Sequence, residues 1–179
     1  SSNRAWHVFE DSKGFTWIST TDGLSRYDGH SFKNFFQIPG DTNSLCGNVI
    51  ANVQERNNKK ILIGTSHGIS EFDPSSNSFR TIYVPPSPPN LEYTIGISQI
   101  LIDHKNRVWI ATQQALYCLD SNYKNIDFPT EKLYGGKFVF RVLEDSEGNV
   151  WVNQTGYLNK IKVTGSSFTI ENHQTNPNN

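Results

Sequence analysis

The sequence of 179 residues lacks methionine and contains only two cysteines, Cys46 and Cys118. One cysteine falls in a predicted loop and the other on a predicted outer strand, so we predict free, partly buried thiols, with a disulfide as the alternative. The 16 basic and 17 acidic residues form no basic stripe, which argues against nucleic acid or an anionic membrane as a partner. No apolar run approaches the roughly 18 residues of a membrane-spanning helix. The absence of methionine leads us to expect a segment of a longer protein.

Residue patterns typical of catalysis or metal binding are also missing. The histidines stand apart from any other His or Cys at metal-ligand spacing, and His104 is predicted to be a solvated turn residue. Glu10-Asp11 and Glu144-Asp145 look like the paired carboxylates of a glycosidase, but they recur at matched places in two repeats. We therefore predict that each Asp caps turn amides. The sequence predicts no catalytic residue, no metal and no cofactor.

A fourfold repeat is the main feature that the sequence does contain. A bulky apolar residue followed by Ile or Val recurs as Trp17-Ile18, Leu62-Ile63, Trp109-Ile110 and Trp151-Val152. The copies are about 42 to 47 residues apart, which is typical of a four-stranded propeller blade. Both neighbours in each pair are apolar although they point to opposite faces of a strand, so each sheet needs a cover on both sides. We predict that the three tryptophans are buried, with Leu62 as a smaller wedge.

The predicted fold is all-β, with four four-stranded antiparallel blades forming a partial or open propeller. For the arrangement of the four blades, we favour an open arc over a closed ring of four. The terminal blades of an arc expose apolar faces and strand edges, so we expect the arc to dimerise or to continue into further blades. We predict one propeller-type domain over 1–172 and a disordered tail or linker over 173–179. The four blades are predicted at about 5–36, 48–84, 94–128 and 138–171.

The first two repeats resemble a known family. The two-component regulator propeller repeat is similar to Phe9-Glu10-Asp11 through Gly14, Trp17-Ile18-Ser19-Thr20, Asp22-Gly23-Leu24 and Arg26-Tyr27-Asp28-Gly29. The segment that enters the next blade in that family is similar to Asn43-Ser44-Leu45 followed by Asn48-Val49-Ile50. The resemblance implies the periplasmic sensor region of a Bacteroides-type hybrid two-component histidine kinase, in which such regions detect glycans or their breakdown products. It also implies that this chain is the extracytoplasmic part of an inner-membrane protein, and that the chain itself is not an enzyme although its parent protein is a histidine kinase.

Loops at one end of the predicted blades supply candidate ligand-binding residues. Sugar sites combine planar polar groups with an aromatic platform, and the residues that offer them are Asn48, Asp22, His67, Tyr93, Gln113 and Gln114. We predict binding of an oligosaccharide or another small periplasmic ligand, with the remaining blades of the parent protein and a second copy as further partners and no direct membrane contact. The alternatives are a structural or dimerising segment without a ligand site, and a propeller-type polysaccharide lyase or hydrolase.

Overall fold

The computed structural model describes residues 4–86, 96–133, 135, 138–165 and 167–175. Blade 1 contains β1 (Ala5–Glu10), β2 (Thr16–Thr20), β3 (Leu24–Tyr27) and β4 (Phe32–Phe35). Blade 2 contains β5 (Ile50–Glu55), β6 (Ile61–Thr65), β7 (Gly68–Asp73) and β8 (Ser78–Tyr83). Blade 3 contains β9 (Ile97–Ile102), β10 (Val108–Thr112), β11 (Leu116–Leu119) and β12 (Asn125–Ile126), followed by a 3-10 helix, Thr130–Lys132. Blade 4 contains β13 (Val139–Glu144), β14 (Val150–Gln154), β15 (Tyr157–Thr164) and β16 (Ser167–Gln174).

Each blade is a separate four-stranded sheet whose strands are neighbours in chain order. The register repeats between blades: Trp17 pairs with Arg26 in blade 1, and Trp151 pairs with Lys160 in blade 4. A register shift also recurs near the start of the first strand in blades 1, 2 and 4. The prediction of four antiparallel blades is confirmed, and matching positions can be compared from one blade to another.

Where the sequence predicts one domain, the described chain divides into two compact units. Unit 1 spans Ser1–Ile100 and unit 2 spans Leu101–Asn179, so the division falls within β9. The core of unit 1 is formed by Trp17, Leu24, Phe35, Leu45, Ile50, Val53, Ile61, Ile63 and Phe72. The core of unit 2 is formed by Trp109, Ala111, Leu116, Cys118, Phe128, Val139, Val142, Val150, Val152 and Ile161. Each of these two clusters contains side chains of its own unit only.

The bulky repeat residue is fully buried in three of the four blades. Trp17, Leu62 and Trp109 are 0% exposed, which confirms their prediction as wedges. Trp151 is only partly buried, so the prediction of a fully buried indole is wrong for blade 4. On the same face, Leu143, which pairs with Trp151, is 54% exposed.

Two predicted boundaries at the end of the chain need correction. Strand β16 runs to Gln174, so His173 and Gln174 belong to the sheet and not to the predicted tail. The strand is extended because Leu158 pairs with His173 and Tyr157 with Gln174. Residues 176–179 of the predicted tail lie outside the described residues.

The aspartate that ends the first strand holds the following hairpin together. Asp11 Oδ1 accepts the backbone N–H groups of Lys13 and Phe15, each at 3.0 Å. Its Oδ2 accepts the indole N–H of Trp17 at 2.8 Å. One carboxylate therefore satisfies two turn amides and the buried indole donor of the next strand. The prediction that this aspartate caps turn amides is confirmed.

Two further blades repeat this arrangement. Trp109 donates its indole N–H to Asp103 at 2.9 Å, and Trp151 donates to Asp145 at 2.7 Å. The Trp151 indole, with desolvation opposing it and Asn149 assisting, holds the pKa of Asp145 well below its usual range. In blade 2, Leu62 carries no indole donor, and an arginine, not an aspartate, follows the strand-ending glutamate. The aspartate after the first strand is therefore present in the three blades whose second strand carries a tryptophan and absent from the blade that has a leucine there.

A glutamate links the first hairpin of one blade to the next blade inside each unit. In unit 1, Glu55 accepts the backbone N–H of Ser12 at 2.8 Å and its hydroxyl at 2.6 Å. In unit 2, Glu144 accepts the backbone N–H of His104 at 2.9 Å and bonds to its Nδ1. His104 is exposed, which agrees with its prediction as a solvated turn residue, and it is also bonded to Glu144. The partner lies 40 positions away, so the local sequence could not indicate it.

Both cysteines are free thiols, as predicted. Cys46 is half-buried and Cys118 is buried; burial raises the pKa of Cys118 to about 12. Across the described ranges, we find no helix with the length and apolar character needed to cross a bilayer.

Candidate ligand-binding site

The turn between the second and third strands is closed by a threonine in three blades. In blade 1 the hydroxyl of Thr20 donates to the carbonyl of Gly23 at 2.8 Å and accepts the N–H of Asp22 at 3.0 Å. Thr65 and Thr112 make the corresponding pair of bonds in blades 2 and 3. A side chain exposed on such a turn is therefore held by a fixed backbone.

Two of these turns require glycine. Gly23 has a φ of +97°, and a Cβ there would lie 2.5 Å from the carbonyl oxygen of Phe35. Gly68 has a φ of +146°, and its Cβ would lie 2.4 Å from the carbonyl oxygen of Tyr83. The third turn has Ala115 at this position, which is not among the residues with positive φ. Turns 1 and 2 are thus built alike, and turn 3 closes its hydrogen bonds with a different backbone.

A short loop joins the turns of blades 1 and 2 into one surface. Gly23 donates its N–H to the carbonyl of Asn48 at 2.7 Å, and Ser66 donates its N–H to the carbonyl of Val49 at 2.9 Å. The side-chain oxygen of Asn48 accepts the N–H of Gln37 at 2.7 Å. Because loop 47–49 is bonded to both turns, it places them side by side. We call residues 21–23, 36, 47–49 and 66–67 the turn strip.

Three predicted site residues lie on the turn strip. Asp22 and His67 are exposed, and Asn48 is half-buried with its side-chain oxygen already engaged by the backbone. The ring of His67 bonds through Nδ1 to the hydroxyl of Ser66 at 2.8 Å, which fixes its orientation. These three residues therefore stay candidate ligand contacts, and Asn48 also supports the loop that holds the other two.

Phe36, at the end of the predicted first blade, also belongs to the turn strip. Its ring is 38% exposed and packs against the bare Cα of Gly23, where an added Cβ would meet Phe36 Cδ1 at 2.7 Å. Val49 beside it is 44% exposed. An exposed aromatic face next to planar polar groups can bind a flat, partly apolar ligand surface.

The other predicted site residues are not on the turn strip. Gln113 is exposed and Gln114 half-buried on the corresponding turn of blade 3, where the N–H of Gln114 donates to Thr112 Oγ1 at 3.2 Å. Both residues therefore belong to blade 3. Tyr93 lies outside the described residues.

A cleft of about 770 Å³ lies elsewhere, within unit 2. The residues that line it include the apolar side chains of Leu133, Phe168 and Ile170 and the charged residues Glu131 and Lys132. Those three apolar side chains also pack against the core of unit 2. The cleft therefore lies over partly buried side chains at the edge of the hydrophobic core. We place the candidate site at the turn strip instead, because its exposed polar side chains stand on turns with a fixed backbone.

The charged side chains of blade 2 form ion pairs with one another. Glu71 is 2% exposed and accepts Lys60 Nζ at 3.3 Å and Arg80 Nε at 2.7 Å. A hydrogen bond from Lys60 to Asp73 is the main cause that raises the pKa of Lys60. These ions neutralise one another along strands. In the described part of the chain, no three His, Cys, Asp or Glu side chains are grouped so that they could hold a metal ion.

Comparison with known proteins found similarity in solved structures. Neither the family models nor the curated proteins gave a match. The extracellular domain of a protein assigned as the hybrid two component system BT4673 from B. thetaiotaomicron is 23% identical, with a TM-score of 0.74 over 93% of this chain and 25% of that chain. The corresponding domain of BT3049 from the same organism is 18% identical, with a TM-score of 0.59 over 94% of this chain and 30% of that chain.

An enzyme is also among the similar structures. Virginiamycin B lyase from Staphylococcus aureus is 15% identical, with a TM-score of 0.70 over 97% of this chain and 57% of that chain. The chain thus spans about a quarter of the first of these structures and just over half of the lyase. At these identities the comparisons show the fold, and they confirm the propeller blades that the family resemblance implied.

Proposed function

We propose that this chain is part of the extracytoplasmic, ligand-binding propeller of a hybrid two-component sensor histidine kinase, located in the periplasm. The observation that carries the proposal is the similarity, over 93% of the chain, to the extracellular domain of a protein assigned as a hybrid two component system. The repeat motif of blades 1 and 2 supports the same class. In this role the chain binds and does not catalyse, and the remaining blades of the parent protein are its covalent partners.

The turn strip is the proposed ligand surface, and an oligosaccharide is the proposed ligand class. Phe36 offers an exposed ring, while Asp22 and His67 offer a carboxylate and an imidazole on turns fixed by threonine hydroxyls. Such a surface can stack on the apolar face of a sugar ring and bond to its hydroxyl groups. Loop 47–49 supplies the continuity between the two turns. Gln113 and Gln114 are proposed as further contacts on blade 3.

The test is a glycan array probed with the 179-residue chain, followed by calorimetry with each oligosaccharide that binds. We expect His67→Ala and Phe36→Ala each to weaken binding about tenfold, since each removes one polar or stacking contact. The matched control is His30→Ala, which removes an exposed histidine from the opposite end of blade 1. It should bind like the unaltered chain.

Two results would count against the proposed site. If His30→Ala weakened binding as much as His67→Ala, the ligand would not lie on the turn strip. If no glycan bound and the chain still folded, the alternative of a structural segment without a ligand site would take its place. The further alternative of a polysaccharide lyase or hydrolase has support only from the shared fold of the lyase. Release of products from any glycan, lost on changing one carboxylate, would favour it.

A further inference from the structure

Trp6 is the tryptophan of this chain that has no place in the fourfold repeat. It lies in β1, where the pairing with β2 shifts between Ala5 and His7, so Trp6 is the extra residue of a bulge. In blade 2 the extra residue of the matching bulge is Ala51. The blade fold therefore needs no large side chain at this position, and a bulge can re-aim the side chain that it carries.

The side chain of Trp6 is anchored and yet exposed. Its indole N–H donates to the carbonyl of Ile50 at 2.6 Å, and the residue is 49% exposed. This bond joins β1 of blade 1 to β5 of blade 2, so the ring lies at the junction of two blades of unit 1 and not on the face of blade 1 that is turned away from blade 2. Because the N–H is already bonded, the exposed part of the indole presents ring carbon atoms to a ligand.

The segment that joins the two turns of the turn strip also holds the Trp6 ring. The carbonyls of Asn48 and Val49 accept hydrogen bonds from the turns of blades 1 and 2. The carbonyl of Ile50, the next residue, accepts the Trp6 indole. Three successive carbonyls therefore fix two turns and one aromatic ring, and Trp6 lies directly beside the turn strip. Val49, between these contacts, is 44% exposed and continues the apolar surface.

Trp6 and Phe36 lie on opposite sides of the same end of blade 1. Ala5, next to Trp6, pairs with Thr20 at the turn, and Phe36 follows β4, the last strand of the blade. Neighbouring strands of a sheet are about 4.8 Å apart, so three spacings separate β1 from β4 by roughly 14 Å. The exposed side chain of Asp22 stands on the turn between them. A single sugar ring is too short to reach both aromatic rings, whereas an extended oligosaccharide can contact both.

We propose that Trp6 is a second aromatic contact for the ligand of the turn strip, so that this surface selects an extended oligosaccharide over a single sugar. The inference rests on the proposed function, because it assigns Trp6 to the same site. One sugar unit stacks on Phe36 and another on Trp6, while Asp22 and His67 bond to hydroxyl groups along the chain of sugars. The second stacking contact makes affinity rise with chain length until both rings are covered.

The test is calorimetry of the 179-residue chain with linear oligosaccharides of one to six units, built from glucose, galactose, mannose, xylose or arabinose. In a series that binds, affinity should rise about tenfold or more from two units to the longest members and then level off. In Trp6→Ala the affinity should no longer depend on length. Two-unit members should bind to Trp6→Ala as they do to the unaltered chain, because they are too short to reach from Phe36 to Trp6.

A purely structural role of Trp6 predicts a different result. If the ring only supported loop 47–49, Trp6→Ala would weaken short and long members by the same factor, and that result would overturn the inference. Trp6→Phe keeps an aromatic ring without the indole donor, so it should retain part of the rise with length. The matched control is Phe32→Ala, which removes a ring that is 61% exposed and pairs with Tyr27 at the opposite end of blade 1. It should bind every member like the unaltered chain.

Failure of this inference is distinguishable from failure of the proposed function. If long oligosaccharides bind and lose affinity in His67→Ala but not in Trp6→Ala, the inference alone is overturned and the turn strip remains the site. If Phe32→Ala abolishes the rise with length as Trp6→Ala does, the second contact is not at Trp6. If none of these oligosaccharides binds to the folded chain, the proposed ligand class fails and the inference fails with it. Circular dichroism spectra should be the same for all variants.

Discussion

At the scale of single residues, the aspartate that ends the first strand explains most of the repeat motif. Asp11 binds two turn amides and the Trp17 indole, so its distance from Trp17 along the chain is fixed by hairpin geometry. Sequence spacing alone predicted the turn cap. It did not predict the indole bond, because no rule of local sequence says which side chain enters the space below a turn.

Asp11→Ala should lower the free energy of unfolding by about 1–3 kcal/mol, since it leaves the buried indole N–H of Trp17 without its acceptor. Chemical denaturation at neutral pH measures this change. Glu10→Ala, next to it on an exposed position, should change stability by less than about 0.5 kcal/mol. Equal losses in the two variants would contradict the role given to Asp11.

Carboxylates in the turns should make stability fall in acid. Hydrogen bonds from Ser31 and His30 hold the pKa of Asp28 below its ordinary value, and those from Ser75 do the same for Asp73. A folded-state pKa below the unfolded one gives stability that is present above the unfolded pKa of about 4 and lost as pH falls through the folded pKa. Thermal midpoints should therefore be level from pH 7 to about 5 and fall below about 4. A midpoint that rises on acidification would contradict this.

Phe36 shows where residue-level prediction fails for the candidate site. Asp22 and His67 were predicted because turn positions are countable from the repeat, and the structure places them at the same end of blades 1 and 2. The exposed ring of Phe36 depends on the bare Cα of Gly23 in another strand connection. Such a long-range fit is a property of packing, which sequence periodicity does not contain.

At the scale of elements, the turn after the second strand of blade 1 depends on the close approach of Gly23 to the backbone of the last strand. Gly23→Ala should destabilise the chain by clearly more than Gly29→Ala. Both glycines have positive φ, of +97° and +93°, but only Gly23 would place a Cβ against a carbonyl, whereas Gly29 has nothing within 4 Å. Strained φ alone costs about 1–2 kcal/mol. Denaturation of both variants separates the two effects, and equal losses would show that the clash is relieved without cost.

Replacing a repeat tryptophan should lower the free energy of unfolding most where its ring is fully buried. Trp109→Ala should cost about 3–5 kcal/mol, because its ring is 0% exposed and meets Phe128 and Phe168 edge-on. Trp151→Ala should cost less than half as much, because its ring is only partly buried. Denaturant titrations in dilute solution compare the two. Similar losses would mean that blade 4 is covered on both faces.

At the scale of the whole molecule, the repeat period was sufficient to predict four blades and their strand order. Leu62 in place of a tryptophan did not disturb the prediction, since any large apolar side chain fills the same space. The division into two compact units and the partial exposure of Trp151 were not predictable in this way. Both depend on which sheet faces meet, and a repeat gives every blade the same pattern whether or not it has a neighbour.

The most direct test of the account is hydrogen exchange of the indole N–H groups, assigned by single Trp→Phe replacements and measured in dilute solution. Trp17 and Trp109 are buried and bonded to Asp11 and Asp103, so their indole protons should exchange slowly. Trp151 donates to Asp145 in the same way but is only partly buried, so its indole proton should exchange faster than theirs. Rapid exchange at Trp17 and Trp109, at the rate of an exposed indole, would contradict the central claim that these rings are wedged between stacked blades.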